Sequence, residues 1–226
     1  MNKNFKTRIA AAFFCAAAFG VSGAQAADEP ASLDADTVEY DMGTGTATAT
    51  GNVLMKRGAS KVTGAKATYN TKTMEGTVEG GVIAVHGATR MTCDFVRSDG
   101  NGHYFAQGSV YGTQEDKTFT GERVDYYPDQ NDYVLIESGG KLTSADGTFT
   151  AHRLEGWLKD EHYTGTGAAH LVSPPRDLEA GGDTLDYYGK ENGKTILTGN
   201  AWAYQGNNTL HGNRLTLYLD GDKAEK

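Results

Sequence analysis

Cysteine is nearly absent: the 226 residues contain two, Cys15 and Cys93, and the first lies in an N-terminal leader. A framework of disulfides within one chain is therefore excluded. Proline is confined to Pro30, Pro128, Pro174 and Pro175. Metal-ligand spacing is missing too, since His86, His103, His152, His162, His170 and His211 are scattered with no His-x-x-x-His pair. Asp99-Gly100-Asn101-Gly102 reads as a turn, lacking the further acidic ligands of a calcium loop. No nucleophile elbow, phosphate loop or zinc motif is found, and no stretch after residue 33 carries a helical apolar period.

The leader reads as a cleavable signal peptide. Lys3, Lys6 and Arg8 precede an apolar run over residues 9–23, and Ala24-Gln25-Ala26 supplies small residues for cleavage before Ala27. The run is short of the ~20 apolar residues a membrane-spanning helix needs. Phe13 and Phe14 stand where a lipoprotein site at Cys15 would need small residues. The expected division is a signal peptide at 1–26, a mobile leader at 27–32, one domain at 33–219 and a polar tail at 220–226. Without the signal the chain has 18 basic and 29 acidic residues, a net charge of −11 against −8 for the whole. That balance excludes nucleic acid as a partner, because its affinity comes mainly from Lys and Arg on phosphates.

What is present is a repeat. Val62-Thr63-Gly64-Ala65-Lys66-Ala67-Thr68-Tyr69 shows an apolar residue, a small residue two on, an apolar residue three on, and a tyrosine. The small slots fall at Ala35, Gly64, Cys93, Gly121, Ala151, Gly182 and Gly212, with steps of 29, 29, 28, 30, 31 and 30 residues. Cys93 thus reads as a small buried residue in a slot otherwise filled by Ala or Gly. A second marker alternates with the first, at Gly51-Asn52, Gly80-Gly81, Gly108-Ser109, Gly140-Lys141, Gly167-Ala168 and Gly199-Asn200, each placed inside an alternating strand. Self-similarity at this period indicates a stacked architecture. Ala47, Ala49, Val53 and Met55 alternate with Thr46, Thr48, Thr50 and Asn52, which predicts strands with one buried and one wet face.

At each small slot the apolar positions switch from even to odd, as when Val62 and Gly64 give way to Ala67 and Tyr69. A strand bends at such a break. The predicted fold is all-β: an elongated repeat β-jelly-roll with two facing antiparallel sheets, solenoid-like, with a continuous apolar interior. Ser173-Pro174-Pro175-Arg176-Asp177 interrupts the beat and predicts a protruding loop. The interior is rich in Ala and Gly. Either the sheets approach closely over these small residues, or they splay to leave an open apolar groove.

The segments Ala35-Asp36-Thr37-Val38-Glu39-Tyr40, Ala47-Thr48-Ala49-Thr50-Gly51-Asn52-Val53 and 62–69 resemble the LptA/OstA-like family of lipopolysaccharide-transport proteins. Ile196-Leu197-Thr198-Gly199-Asn200-Ala201, followed by Leu210-His211-Gly212, is similar to that family's closing strands, so the resemblance spans nearly the whole mature chain. The departures are looser central repeats between Cys93 and Gly182 and the Pro174-Pro175 loop. The resemblance implies a periplasmic jelly-roll that shields lipid A acyl chains. It also implies an LptC-like inner-membrane partner at the N-terminal edge and an LptD-like outer-membrane partner at the C-terminal edge.

The residues expected to line a lipid-binding groove are Val53, Val62, Val82, Val110, Phe119, Val124, Phe149, Leu197 and Leu215, each on the inward phase of its strand. Leu33, Val38, Tyr40, Leu210 and Leu217 mark terminal edge strands left without a covering proline or helix. Such edges are usually protected, so exposed ones predict head-to-tail self-association. Glu39, Asp125, Glu155 and Asp186 recur just before the tyrosine slot. Paired carboxylates can serve glycoside chemistry, but these alternate with apolar positions and read as a solvated row. No catalytic residue, metal or cofactor is expected. The competing reading is an exported β-solenoid that binds glycan or protein through its outer face.

Overall fold

The computed structural model describes residues 31–219 except 58 and 192; the signal peptide, residues 27–30 and the polar tail lie outside the described residues. Sixteen strands run antiparallel: β1 (Ala31–Asp34), β2 (Thr37–Asp41), β3 (Thr46–Arg57), β4 (Ser60–Asn70), β5 (Glu75–His86), β6 (Thr89–Asp99), β7 (Tyr104–Gln114) and β8 (Lys117–Tyr127). They continue with β9 (Tyr133–Glu137), β10 (Gly140–Ser144), β11 (Gly147–Ala151), β12 (Arg153–Trp157), β13 (His162–Ser173), β14 (Leu178–Tyr188), β15 (Lys194–Gln205) and β16 (Asn208–Tyr218). Ala31 and Ser32, expected in the leader, belong to β1 and pair with Arg57 and Lys56.

Each long strand is two short ones joined by a corner. In β6 the buried positions are Thr89, Met91 and Cys93, then Val96 and Ser98. The phase flips where its register with β7 slips, between Thr92 and Phe95. Residues 118–120 of β8 accordingly pair with β10, while 123–127 pair with β9. The halves of β13 divide between β11 and β12 in the same way. The chain is thus one continuous ladder folded along its length into two layers. One layer runs from β1 through β10 and β11 to the first half of β16; the other runs from β2 through β9 and β12 to its second half.

The small slots lie at these corners, as the parity switch predicts. The Gly markers sit at corners too: Gly51, Gly80, Gly108, Gly167 and Gly199 lie inside long strands as expected, and each adds a bend there that the periodicity did not announce. Gly51 and Asn52 both adopt left-handed backbone, at φ +79° and +48°, and the β3–β4 register slips there between Thr50 and Val53. Two left-handed residues in succession turn the strand without changing the parity of the apolar positions. The bend is therefore silent in the periodicity. The carboxylate of Asp36 sits where a Gly51 side chain would be and accepts from Asn52 Nδ2 at 3.0 and 3.1 Å. Asp183 repeats the contact with Asn200 at 3.1 and 3.2 Å. In the fourth repeat the left-handed pair is Ser138-Gly139, just ahead of the expected Gly140.

A single apolar cluster fills the space between the layers from Ala49 to Ala203. Both arrangements open in the sequence occur, at different places. Where glycines of one layer face large residues of the other the layers close: Gly121 lies against Ile136 and Gly165 against Phe149. Beyond Phe119 and Phe149 the layers part.

Candidate functional site: the apolar interior and its mouth

Seven of the nine expected groove residues, Val53, Val62, Val82, Val110, Phe119, Val124 and Leu197, are buried in the common interior. Phe149 and Leu215 are half-buried against the same cluster. The inward phase of every strand thus converges on one continuous surface, as adjacent cross-strand positions must when they share a face.

A cavity of about 90 Å³ opens between the layers, floored by Phe119, Leu142, Phe149, Leu171, Leu185 and Tyr187. An engineered apolar cavity of ~150 Å³ accepts benzene, so this space suits a short run of methylenes. The rim is polar, with Lys117, Asp146 and Arg176 among its residues. The expected protruding loop is a short 3-10 turn over Pro174–Arg176, and it stands at this rim with Arg176 reaching over the cavity.

The expected edge residues divide. Val38, Tyr40 and Leu210 are exposed, at 49%, 54% and 50%. Leu33 and Leu217 instead pack partly against the core. Val38 lies opposite fully buried Ala49, and Leu210 opposite buried Ala203. Paired residues project to the same side of a sheet, so the exposed side chains are interior positions at two open ends.

The carboxylate row does not match its expectation. Asp125 is only 4% exposed, covered by Arg123 and His103. Its carboxylate accepts from Arg123 Nη2 at 2.6 Å and Nε at 2.7 Å, with His103 Nε2 at 2.7 Å. The bond to Asp125 holds the Arg123 guanidinium above its ordinary pKa. Glu155 accepts from Tyr133 Oη at 2.5 Å and Arg153 Nη2 at 3.1 Å. The Arg153 bond holds Glu155 below the usual carboxylate range, while burial and the Glu155 contact push Tyr133 upward. Asp186 accepts from Thr164 at 2.8 Å, and only Glu39 is exposed as expected. Asp125, Glu155 and Asp186 are thus tied to partners on their own outer face, away from the cavity.

Two of the scattered histidines, His103 and His162, belong to an aromatic ladder that sequence reasoning missed. His103 stacks on Tyr127 at 4.4 Å; Tyr127, Tyr133, Trp157 and His162 follow at 5.7, 5.1 and 5.0 Å; His162 stacks on Tyr188 at 4.4 Å. The available signal was the doublets Tyr126-Tyr127 and Tyr187-Tyr188, whose first members are buried and second members face out. Because these rings cover one another's faces, the ladder stiffens the sheet. Cys93 is buried, and burial pushes its thiol up to about 11. Among the described residues no group of His, Cys, Asp and Glu could hold a metal ion, and no helix is long and apolar enough to cross a membrane.

A two-layer antiparallel jelly-roll built from stacked repeats around an apolar interior open at its ends defines a class of elongated β-proteins. The family model for the LptA/(LptD N-terminal domain) lipopolysaccharide transport protein matches residues 32–223, and the chain belongs to that family. Among solved structures, it is similar to LptH, the LptA homologous periplasmic component of the lipopolysaccharide transport device from Pseudomonas aeruginosa. That match has 22% identity and a TM-score of 0.40, and covers 43% of this chain and 76% of the other. No curated protein matches.

Proposed function

We propose that the chain is a periplasmic bridge component that shields the acyl chains of lipopolysaccharide between the inner and outer membranes. The observation that carries this is the continuous apolar interior with an opening at Phe119 and Phe149. Each acyl methylene left in water costs ~0.8 kcal/mol. A multi-chain lipid therefore crosses an aqueous space only along a covering surface, and no reaction is needed. The open ends extend the reading: an LptC-like protein meets the β1–β2 end, an LptD-like protein meets β16, and further copies lengthen the path. Family membership supports this role.

The test uses a benzophenone analogue of phenylalanine at Phe119 or Phe149, where it preserves the aromatic shape. Illumination in cells should link both positions to lipopolysaccharide. The same probe at the exposed outer-face residues Tyr111 and Tyr204 should give no adduct. Equal labelling inside and out would refute the proposal.

A further inference from the structure

The Pro174–Arg176 turn, which breaks the repeat, ties the two lips of the cavity together. Its base is fixed. Ser173 is buried and donates from Oγ to the Asp146 carbonyl at 2.7 Å, and two prolines hold the backbone that follows. From this base Arg176 extends across the opening. Its Nε donates to the carbonyl of Leu219 at 3.0 Å, and its Nη1 donates to Ser173 Oγ at 3.2 Å and to Asp146 Oδ1 at 3.5 Å.

These partners lie on opposite lips. Asp146 belongs to the β10–β11 turn of one layer. Leu219 follows the second half of β16 in the other, where its amide donates to Gly193 O at 3.3 Å. Leu219 and Arg176 both line the cavity whose floor is Phe119, Leu142, Phe149, Leu171, Leu185 and Tyr187.

We propose that Arg176 is a latch operated by the headgroup of an incoming anionic lipid, and this rests on the lipid-carrying reading above. The guanidinium presents five N–H donors in a planar fork, and two parallel bonds to phosphate oxygens are its strongest pairing. A neutral carbonyl at 3.0 Å and a carboxylate oxygen at 3.5 Å are weaker holds, which a phosphate can replace. When the phosphate takes the guanidinium, the tie to Leu219 is released and the lips are free to part. The acyl chain then enters over Phe119 and Phe149 while the phosphate stays at the rim, beside Lys117. Lys117 and Arg176 place two cations at this mouth against the one carboxylate of Asp146, in a chain whose overall charge is −8. Against that background, local cations are what allow an anionic head to approach.

The test compares oleoyl lysophosphatidic acid with monooleoylglycerol, which has the same chain and no phosphate, by calorimetric titration of the full chain below micelle-forming concentrations. The latch predicts about tenfold tighter binding of the phosphate lipid, the equivalent of one charge-assisted pair. Arg176→Gln should erase that preference while leaving the neutral lipid bound at least as tightly, because the lips are no longer tied. Asp146→Asn, which removes a competitor for Arg176, should widen the preference; a thermal melt confirms that each variant is folded. Equal affinity of the native chain for both lipids overturns the latch alone. So does loss of both lipids to the same degree in Arg176→Gln, which marks a structural role. Glycerol 3-phosphate binding as well as the lysolipid would show a plain phosphate site and overturn it too. Failure of either lipid to bind any variant would overturn the latch and the lipid-carrying reading together.

Discussion

Glu155 shows how the outer-face acids work at the scale of single residues. It sits between Arg153 and Tyr133, and the Arg153 bond lowers its pKa in the folded state. A carboxylate with a folded value below its unfolded value contributes stability above the ordinary range, and that contribution is lost as pH falls through the folded value. The native chain should therefore melt above Glu155→Gln at pH 7, and the gap should shrink as pH drops below about 4.3, the unperturbed glutamate value. A gap independent of pH in thermal melts from pH 7 to 3 would show that the ion pair contributes nothing. Asp125 carries the stronger lesson about reading sequence. Its place in the alternation put it on the outer face, and it is there, but Arg123 and His103 have closed over it. Periodicity reports which face a residue points to; it is blind to long neighbouring side chains that fold down and remove the water.

At the scale of the strand, the corners decide the fold. Gly51 and Gly81 have left-handed backbone, at φ +79° and +65°, so alanine is strained at either by about 1–2 kcal/mol. They differ in surroundings. A methyl group at Gly51 meets the Asp36 carboxylate, whereas at Gly81 nothing lies within 4 Å. Gly51→Ala should thus cost about 1 kcal/mol more than Gly81→Ala, because it also displaces the Asp36–Asn52 hydrogen bonds. Denaturant midpoints check this, and equal losses would mean the Asp36 contact is idle. The same corners explain what the sequence disclosed. Strand identity, the inward faces and one row of bends were legible, since a single-residue slip flips the parity of apolar positions, as at Gly64. The second row was hidden, because a left-handed pair such as Gly51-Asn52 bends the chain and restores parity. A signal did exist: Ala35-Asp36, Cys93-Asp94 and Gly182-Asp183 place an acid just after the small slot, where it folds over the glycine of the next marker. The cavity could not be read at all, since its opening depends on how far the layers part beyond Phe119 and Phe149.

For the whole molecule, the question is what covers its ends. A stacked repeat buries its interior only by adding neighbours, and terminal repeats ordinarily carry a polar cap. Here β2 is exposed along its length, and Val38 and Tyr40 continue the inward face past the last covering strand. Leu210 does the same at the β16 end. One copy's β16 placed against the next copy's β1 and β2 would extend both layers, join the apolar interiors and cover these side chains. Such a contact would use two different surfaces, and so would propagate into open rods instead of closing as a dimer. Sedimentation should accordingly show a weight-average mass that climbs with concentration. Val38→Glu blocks one end and Leu210→Glu the other; each alone should stay monomeric, with stability within ~0.5 kcal/mol of the native chain because both positions are exposed. An equimolar mixture of the two variants is the sharper test. Each retains one good end, and those ends are complementary, so the mixture should form one-to-one dimers and nothing larger. A chain that stays monomeric at every concentration, or a dimer that neither substitution disturbs, would rule out end-to-end growth.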